Sequence, residues 1–153
     1  MKTMMKGCLG AMLIVLLAVG LSFAHCQIPC GIYDDEARIG EIREHITTIE
    51  RSMNQIQALQ KNIKAADVHD YNQMIRWVNN KEDHAAKLQE IASKYFMTQR
   101  IKMDDDKYAE KMELLHAMLV HAMKCKQTVD LDYVKKLRKV VDEFEALYFG
   151  KSK

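Results

Sequence analysis

The sequence predicts an all-α protein, an antiparallel four-helix bundle preceded by a short N-terminal segment outside the helices. Three observations carry that expectation. One Pro and six Gly in 153 residues are too few for a sheet protein rich in turns. From Asp34 onward, apolar residues recur at alternating steps of three and four, a spacing that lays one stripe along a helix. Acidic residues precede each stripe, where a carboxylate accepts free backbone N–H groups and complements the positive helix end.

In chain order, residues 1–24 read as a cleaved signal peptide. Lys2 and Lys6 form a basic start, and the apolar stretch from Leu9 to Phe23 is short for a membrane span. Ser22-Phe23-Ala24 offers the small residues that a signal peptidase reads, so cleavage is expected after Ala24. An uncleaved membrane anchor is the alternative. A lipoprotein anchor through Cys26 is disfavoured because His25 stands where a small residue is needed. Cleavage implies an exported protein, periplasmic or extracellular, or in an organelle lumen if eukaryotic, with no stable membrane association afterwards.

Residues 25–33, His25-Cys26-Gln27-Ile28-Pro29-Cys30-Gly31-Ile32-Tyr33, form a short hook. Of the four cysteines, Cys8 leaves with the leader and Cys125 stands alone. Three thiols in an exported chain do not make a paired framework. Cys26 and Cys30 either close a small disulfide loop or hold a metal. Cys125 reads as a buried small hydrophobe.

Residues 34–150 carry the four stripes. The first runs Ile39, Ile42, Ile46, Ile49, Met53, Ile56 and Ile63, broken at Gln60. The second is Tyr71, Met74, Val78, Ala85, Leu88, Ala92 and Tyr95. The third is Tyr108, Met112, Leu115, Leu119 and Ala122, and the fourth Val134, Leu137, Val141, Phe144 and Tyr148. Asp34-Asp35, Asp67, Asp104-Asp105-Asp106 and Asp130 supply the helix starts. Short links between stripes of similar length favour antiparallel neighbours in one domain.

Charge excludes several partners. The formal net charge is +2, and removing Lys2 and Lys6 from the 23 basic residues leaves as many as the 21 acidic ones. A near-neutral chain argues against nucleic acid or an anionic membrane as partner. Within the bundle a di-iron carboxylate site needs two Glu-x-x-His units, and the chain has one, Glu113 to His116. His45, His69, His116 and His121 read as surface or hydrogen-bonded structural histidines. No Gly-rich phosphate loop, nucleophile elbow or His-Glu-x-x-His motif is present.

The hook is where chemistry concentrates. Cut before His25, it offers a free α-amine, the Cys26 amide nitrogen, and the thiolates of Cys26 and Cys30. Pro29 and Gly31 shape the turn. Such a planar pair of nitrogens and pair of sulfurs suits Ni(II) or Cu(II), whereas zinc prefers a tetrahedron. The His25 imidazole is available along the axis.

The run His-Cys-x-x-Pro-Cys-Gly-x-Tyr before a helical bundle resembles the nickel-containing superoxide dismutases. The resemblance implies that His25, Cys26 and Cys30 bind one nickel ion per subunit, and that Tyr33 stands over its open face. It implies a support for the His25 imidazole from Glu41, with Gly40 competing for that register, and from His84, where the family carries an arginine. A second tyrosine near the site corresponds to Tyr95. Superoxide is then the substrate, disproportionated to O₂ and hydrogen peroxide by Ni(II)/Ni(III) cycling. The resemblance further implies a homohexamer, and a signal peptidase or maturation protease to free His25.

Other classes stay open on sequence alone. One is an exported nickel or copper carrier without turnover, which needs the hook but neither Tyr33 nor a bundle behind it. Another is a helical interaction module, for which the stripes suffice and His25, Cys26 and Cys30 are dispensable.

Overall fold

The structure is a computed structural model and describes residues 31–61 and 63–150. Among these residues there are four α-helices and no strand: α1 (Asp35–Lys61), α2 (Val68–Glu90), α3 (Tyr108–Gln127) and α4 (Leu131–Tyr148). They belong to one compact unit, Asp34–Lys153, separate from the unit Met1–Tyr33. None of the described helices is long and apolar enough to cross a membrane.

Consecutive helices run antiparallel, and cross-helix hydrogen bonds fix the register. The start of α1 meets the end of α2 at His45–His84, while Ser52 meets Asn80 further along. On its other side α1 meets α4 in reverse order, through Arg43–Glu145 and then Arg138–Glu50. Between α2 and α3, Gln89 donates to the Leu119 carbonyl and Lys81 to that of Cys125. The closest packed pairs are thus α1–α2, α2–α3, α3–α4 and α4–α1, the ring of an up-down-up-down bundle.

The stripes of α1, α3 and α4 face the core as their spacing predicts, except that Ile63, the last residue of the first stripe, falls beyond α1 in a 3₁₀ turn and is exposed. Ile42, Ile46, Ile49, Met53, Leu115, Leu137, Val141 and Phe144 are fully buried. At roughly 1.5–3 kcal/mol for burying each such side chain, they dominate what holds the helices together. Cys125 is buried and its thiol free, as a small core residue. The stripe of α2 differs from expectation: Ala85, Leu88, Ala92 and Tyr95 are buried, but Tyr71 and Val78 are exposed. Seven-residue spacing sets a face and does not say what covers it.

The helix starts follow the sequence in three cases. The Asp34 carboxylate accepts from the Ala37 amide at 3.0 Å. Asp67 and Asp70 form a reciprocal capping box at α2, and Asp130 accepts from the Asp132 amide at 2.9 Å. At α3 the acidic run does not cap. There Lys107 takes the left-handed conformation (φ 55°) without a side-chain bond to the helix. The Asp105 backbone carbonyl accepts from Tyr108 instead, and its carboxylate lies 3.6 Å from Lys111.

Beyond Glu90, α2 continues into a π-helical stretch, Ile91–Arg100. Its wider turn shows in bonds five residues back: Thr98 and Gln99 side chains to the Ser93 and Lys94 carbonyls, and the Ile101 amide to Phe96. The adjacent pairs Ile91-Ala92 and Tyr95-Phe96 all turn inward as a result. Phe96 meets Phe144 edge-on with ring centroids 5.1 Å apart.

Candidate functional site

The proposed metal ligands His25, Cys26 and Cys30, together with Pro29, lie outside the described residues. The hook enters the description at Gly31, whose φ of +80° is a left-handed conformation that side chains with a Cβ adopt only under strain. A glycine directly after Cys30 therefore meets a backbone requirement for a sharp change of direction. Tyr33 is 38% exposed.

Glu41 and His84 are on different helices, and His45 stands between them. The Nδ1 atoms of His45 and His84 are 3.0 Å apart, and the rings meet edge-on. On its other side His45 Nε2 lies 3.9 Å from Glu41 Oε1, while Arg38 grips Glu41 Oε2 at 2.6 Å. His45 Nε2 is buried without a hydrogen-bond partner within reach. A proton on Nε2 faces the Glu41 carboxylate, which leaves His45 Nδ1 as acceptor and makes His84 Nδ1 the donor. Burial holds both imidazoles below the usual histidine pKa; for His45 the neighbouring His84 adds to the effect, and for His84 the neighbouring Lys87 does.

The sequence reading placed His45 among structural histidines, and it is one: 9% exposed and partnered across the helix interface. Its link to Glu41 had a signal in the sequence, since residues four apart share a helix face. Its link to His84 had none.

Tyr95, on the π-helical stretch, meets the first residue of α1 in a second polar group. Its hydroxyl donates to Asp35 Oδ1 at 2.6 Å, and that of Tyr148 donates to Oδ2 at 2.8 Å. Arg100 grips the same carboxylate with Nε and Nη2, each at 2.8 Å at its shortest. Burial alone would raise the Asp35 pKa, but bonds from Arg100, Tyr95 and Tyr148 bring it below the ordinary carboxylate value. Burial and the bond to Asp35 push Tyr148 up to about 12, and the same two causes raise Tyr95 well above its usual value. Tyr95 is therefore a neutral hydrogen-bond donor at any physiological pH. Arg100 is a member of this group that the sequence did not single out, and Asp35 was read there only as part of a helix start.

Among the described residues, no three His, Cys, Asp or Glu side chains are grouped to hold a metal ion. The donors that would suit nickel by their chemistry, the nitrogens and thiolates expected from His25, Cys26 and Cys30, lie outside these residues. Cys125, the remaining thiol of the bundle, is raised to about 11 by burial and stays protonated.

No curated protein and no solved structure matches the chain. The family described as nickel-containing superoxide dismutase matches residues 21–153, which takes in the whole hook and the whole bundle. Motif, helical fold and family match agree: the chain belongs to the nickel-containing superoxide dismutases, oxidoreductases that consume superoxide.

Proposed function

We propose that the protein disproportionates superoxide at a nickel ion held by its processed N-terminus, after cleavage between Ala24 and His25. The observation that carries this reading is the family match spanning the His25–Tyr33 motif. His25 would bind through its amine and imidazole, Cys26 through its amide and thiolate, and Cys30 through its thiolate, one ion per subunit. Such anionic donors bring the Ni(III)/Ni(II) couple into a range where one superoxide gives up an electron and a second accepts it.

The chain's own residues supply shape and protons. Gly31 provides the left-handed turn after Cys30, and Pro29 limits the backbone before it. Tyr33 would hold the small anion or its water and deliver a proton as peroxide forms. The resemblance gives Glu41 and His84 the support of the His25 imidazole. Their connection through His45 supports treating the three as a unit, in which a change at any one alters the others. Tyr95 would act by position, since its hydroxyl is already donated to Asp35. The family arrangement, a homohexamer, would shield the thiolates from the peroxide they help to make. Removal of residues 1–24 as an export signal would put the working protein outside the cytoplasm.

The test is superoxide consumption by purified, nickel-loaded protein that begins at His25. Turnover that disappears with Cys26→Ser supports the enzyme. Firm nickel retention without turnover would instead identify an exported metal carrier.

A further inference from the structure

Arg38, Glu41 and His45 follow one another on α1 at steps of three and four, so their side chains line one face of the helix. His84 meets that face from α2. Together they form a chain of contacts. Arg38 Nη1 donates to Glu41 Oε2 at 2.6 Å, Glu41 Oε1 lies 3.9 Å from His45 Nε2, and the Nδ1 atoms of His45 and His84 lie 3.0 Å apart. The Arg38 guanidinium also lies over the Tyr95 ring, 5.4 Å from its centroid, which holds it from a second side. The Glu41 carboxylate is thereby anchored at one oxygen and presents the other to His45.

The chain of contacts has a direction. His45 Nε2 is buried and finds no hydrogen-bond partner within reach. Left bare, it would set a lone pair against the carboxylate; protonated, it sets an N–H towards it. A neutral imidazole carries one proton, so His45 Nδ1 accepts and His84 Nδ1 donates. His84 has then placed its only proton, and its Nε2 is a bare acceptor. Both rings are neutral at physiological pH. Burial lowers each pKa, and Lys87 adds to this at both rings, against Glu41 and Glu44 beside His45 and Asp83 beside His84. The resemblance puts an arginine at position 84, and a guanidinium can donate but never accept. Here the sense of the bond is reversed.

We propose that His45 is a positioning residue for the reaction: it holds His84 in the one tautomer whose Nε2 accepts a hydrogen bond. The site takes an N–H at this point, where an arginine would offer one. The inference rests on the reading given above, in which His84 supports the His25 imidazole. A metal-binding imidazole gives its second ring N–H to an acceptor, and a stronger acceptor makes it a stronger ligand. The bare nitrogen of His84, backed through His45 by the Glu41 carboxylate, is an acceptor of that kind. His45 itself acts only through His84 and Glu41.

Nitrogen-15 correlation spectra of the histidine rings, in the metal-free protein at neutral pH, test it, because a bare ring nitrogen resonates well downfield of a protonated one. The wild type shows His84 protonated at Nδ1 and bare at Nε2, with His45 protonated at Nε2. In His45→Leu the His84 ring returns to the mixed tautomers of a free imidazole. In His45→Gln, whose amide oxygen can accept the same bond, it keeps the single tautomer. With nickel bound, superoxide turnover falls roughly tenfold or more in His45→Leu and recovers in His45→Gln, at unchanged nickel content and helical circular dichroism. A wild-type His84 protonated at Nε2 overturns the proposal, and so does a tautomer or a turnover indifferent to His45→Leu. A nickel-loaded wild type without turnover overturns the role in the reaction together with the enzymatic reading. The tautomers, read without metal, stand or fall on their own, which tells the two failures apart.

Discussion

His45 on α1 and His84 on α2 meet through their Nδ1 atoms, 3.0 Å apart. Two protonated imidazoles could not keep that contact, because neither would have a lone pair to accept the bond. The pair therefore ties the α1–α2 packing to pH. Folded-state values lie below the ordinary histidine value for both residues. The unfolded chain then takes up protons first as pH falls, so stability is full above the ordinary value and declines below it, towards the lowered folded values. Urea unfolding between pH 7.5 and 5.5 should show this loss in the wild type. His84→Ala should cost about 1 kcal/mol at neutral pH and flatten the pH dependence. An unchanged slope would remove the pair from the explanation.

Asp35 is the second linkage. One carboxylate receives Tyr95, Tyr148 and Arg100, joining the start of α1, the π-helical stretch and the end of α4. Its folded pKa is lowered, so its contribution stands above the ordinary carboxylate value and fades as pH drops through the folded one. Asp35→Ala removes the carboxylate on which Arg100, Tyr95 and Tyr148 converge and should cost about 3 kcal/mol in urea unfolding. Tyr95→Phe and Tyr148→Phe should cost about 1 kcal/mol each. A loss of superoxide turnover in Tyr95→Phe without loss of stability would show that Tyr95 acts on the reaction directly.

Lys81 is 4% exposed and donates to carbonyls at the end of α3. A cation there satisfies acceptors that the helix leaves unpaired and complements its negative end. Lys81→Met keeps the length of the side chain and removes the donor. It should lower stability by about 2 kcal/mol, visible as a reduced thermal midpoint with unchanged helical content.

The four helices were legible because burial follows spacing: Ile42, Ile46, Ile49 and Met53 face inward as their steps of three and four require. Caps at Asp34, Asp67 and Asp130 were legible for the same local reason. Pairing across helices was not. His45 and His84 are 39 residues apart, and nothing local in either segment marks the other. Tyr71 and Val78 carry the same apolar signal as a core stripe, yet lie where α3 has already ended. The π-helical stretch has no Gly or Pro to announce it. For the candidate site, the expected ligands rest on a contiguous motif from His25 to Cys30, which lies outside the described residues. That His45 stands between Glu41 and His84 emerged only from the folded chain.

The hook should be separable from the fold. Cys26→Ser and Cys30→Ser should each abolish nickel retention and superoxide consumption while leaving the helical circular dichroism unchanged, since the described bundle is built from residues beyond Tyr33. Gly31→Val forces a β-branched residue into a left-handed conformation. It should weaken nickel binding several-fold, at a strain of about 1–3 kcal/mol. Nickel content by plasma mass spectrometry, with turnover measured in parallel, distinguishes these outcomes.

Nickel held by a free histidine amine and two thiolates needs a chain that starts at His25. Intact mass spectrometry of the natural protein, under conditions that keep the metal bound, reads the N-terminus, the thiol state and the nickel content together. A chain beginning at His25, with Cys26 and Cys30 unlinked and one nickel per subunit, is the predicted result. A chain still continuous through Ala24 and His25, or one with Cys26 and Cys30 joined as a disulfide, would contradict it.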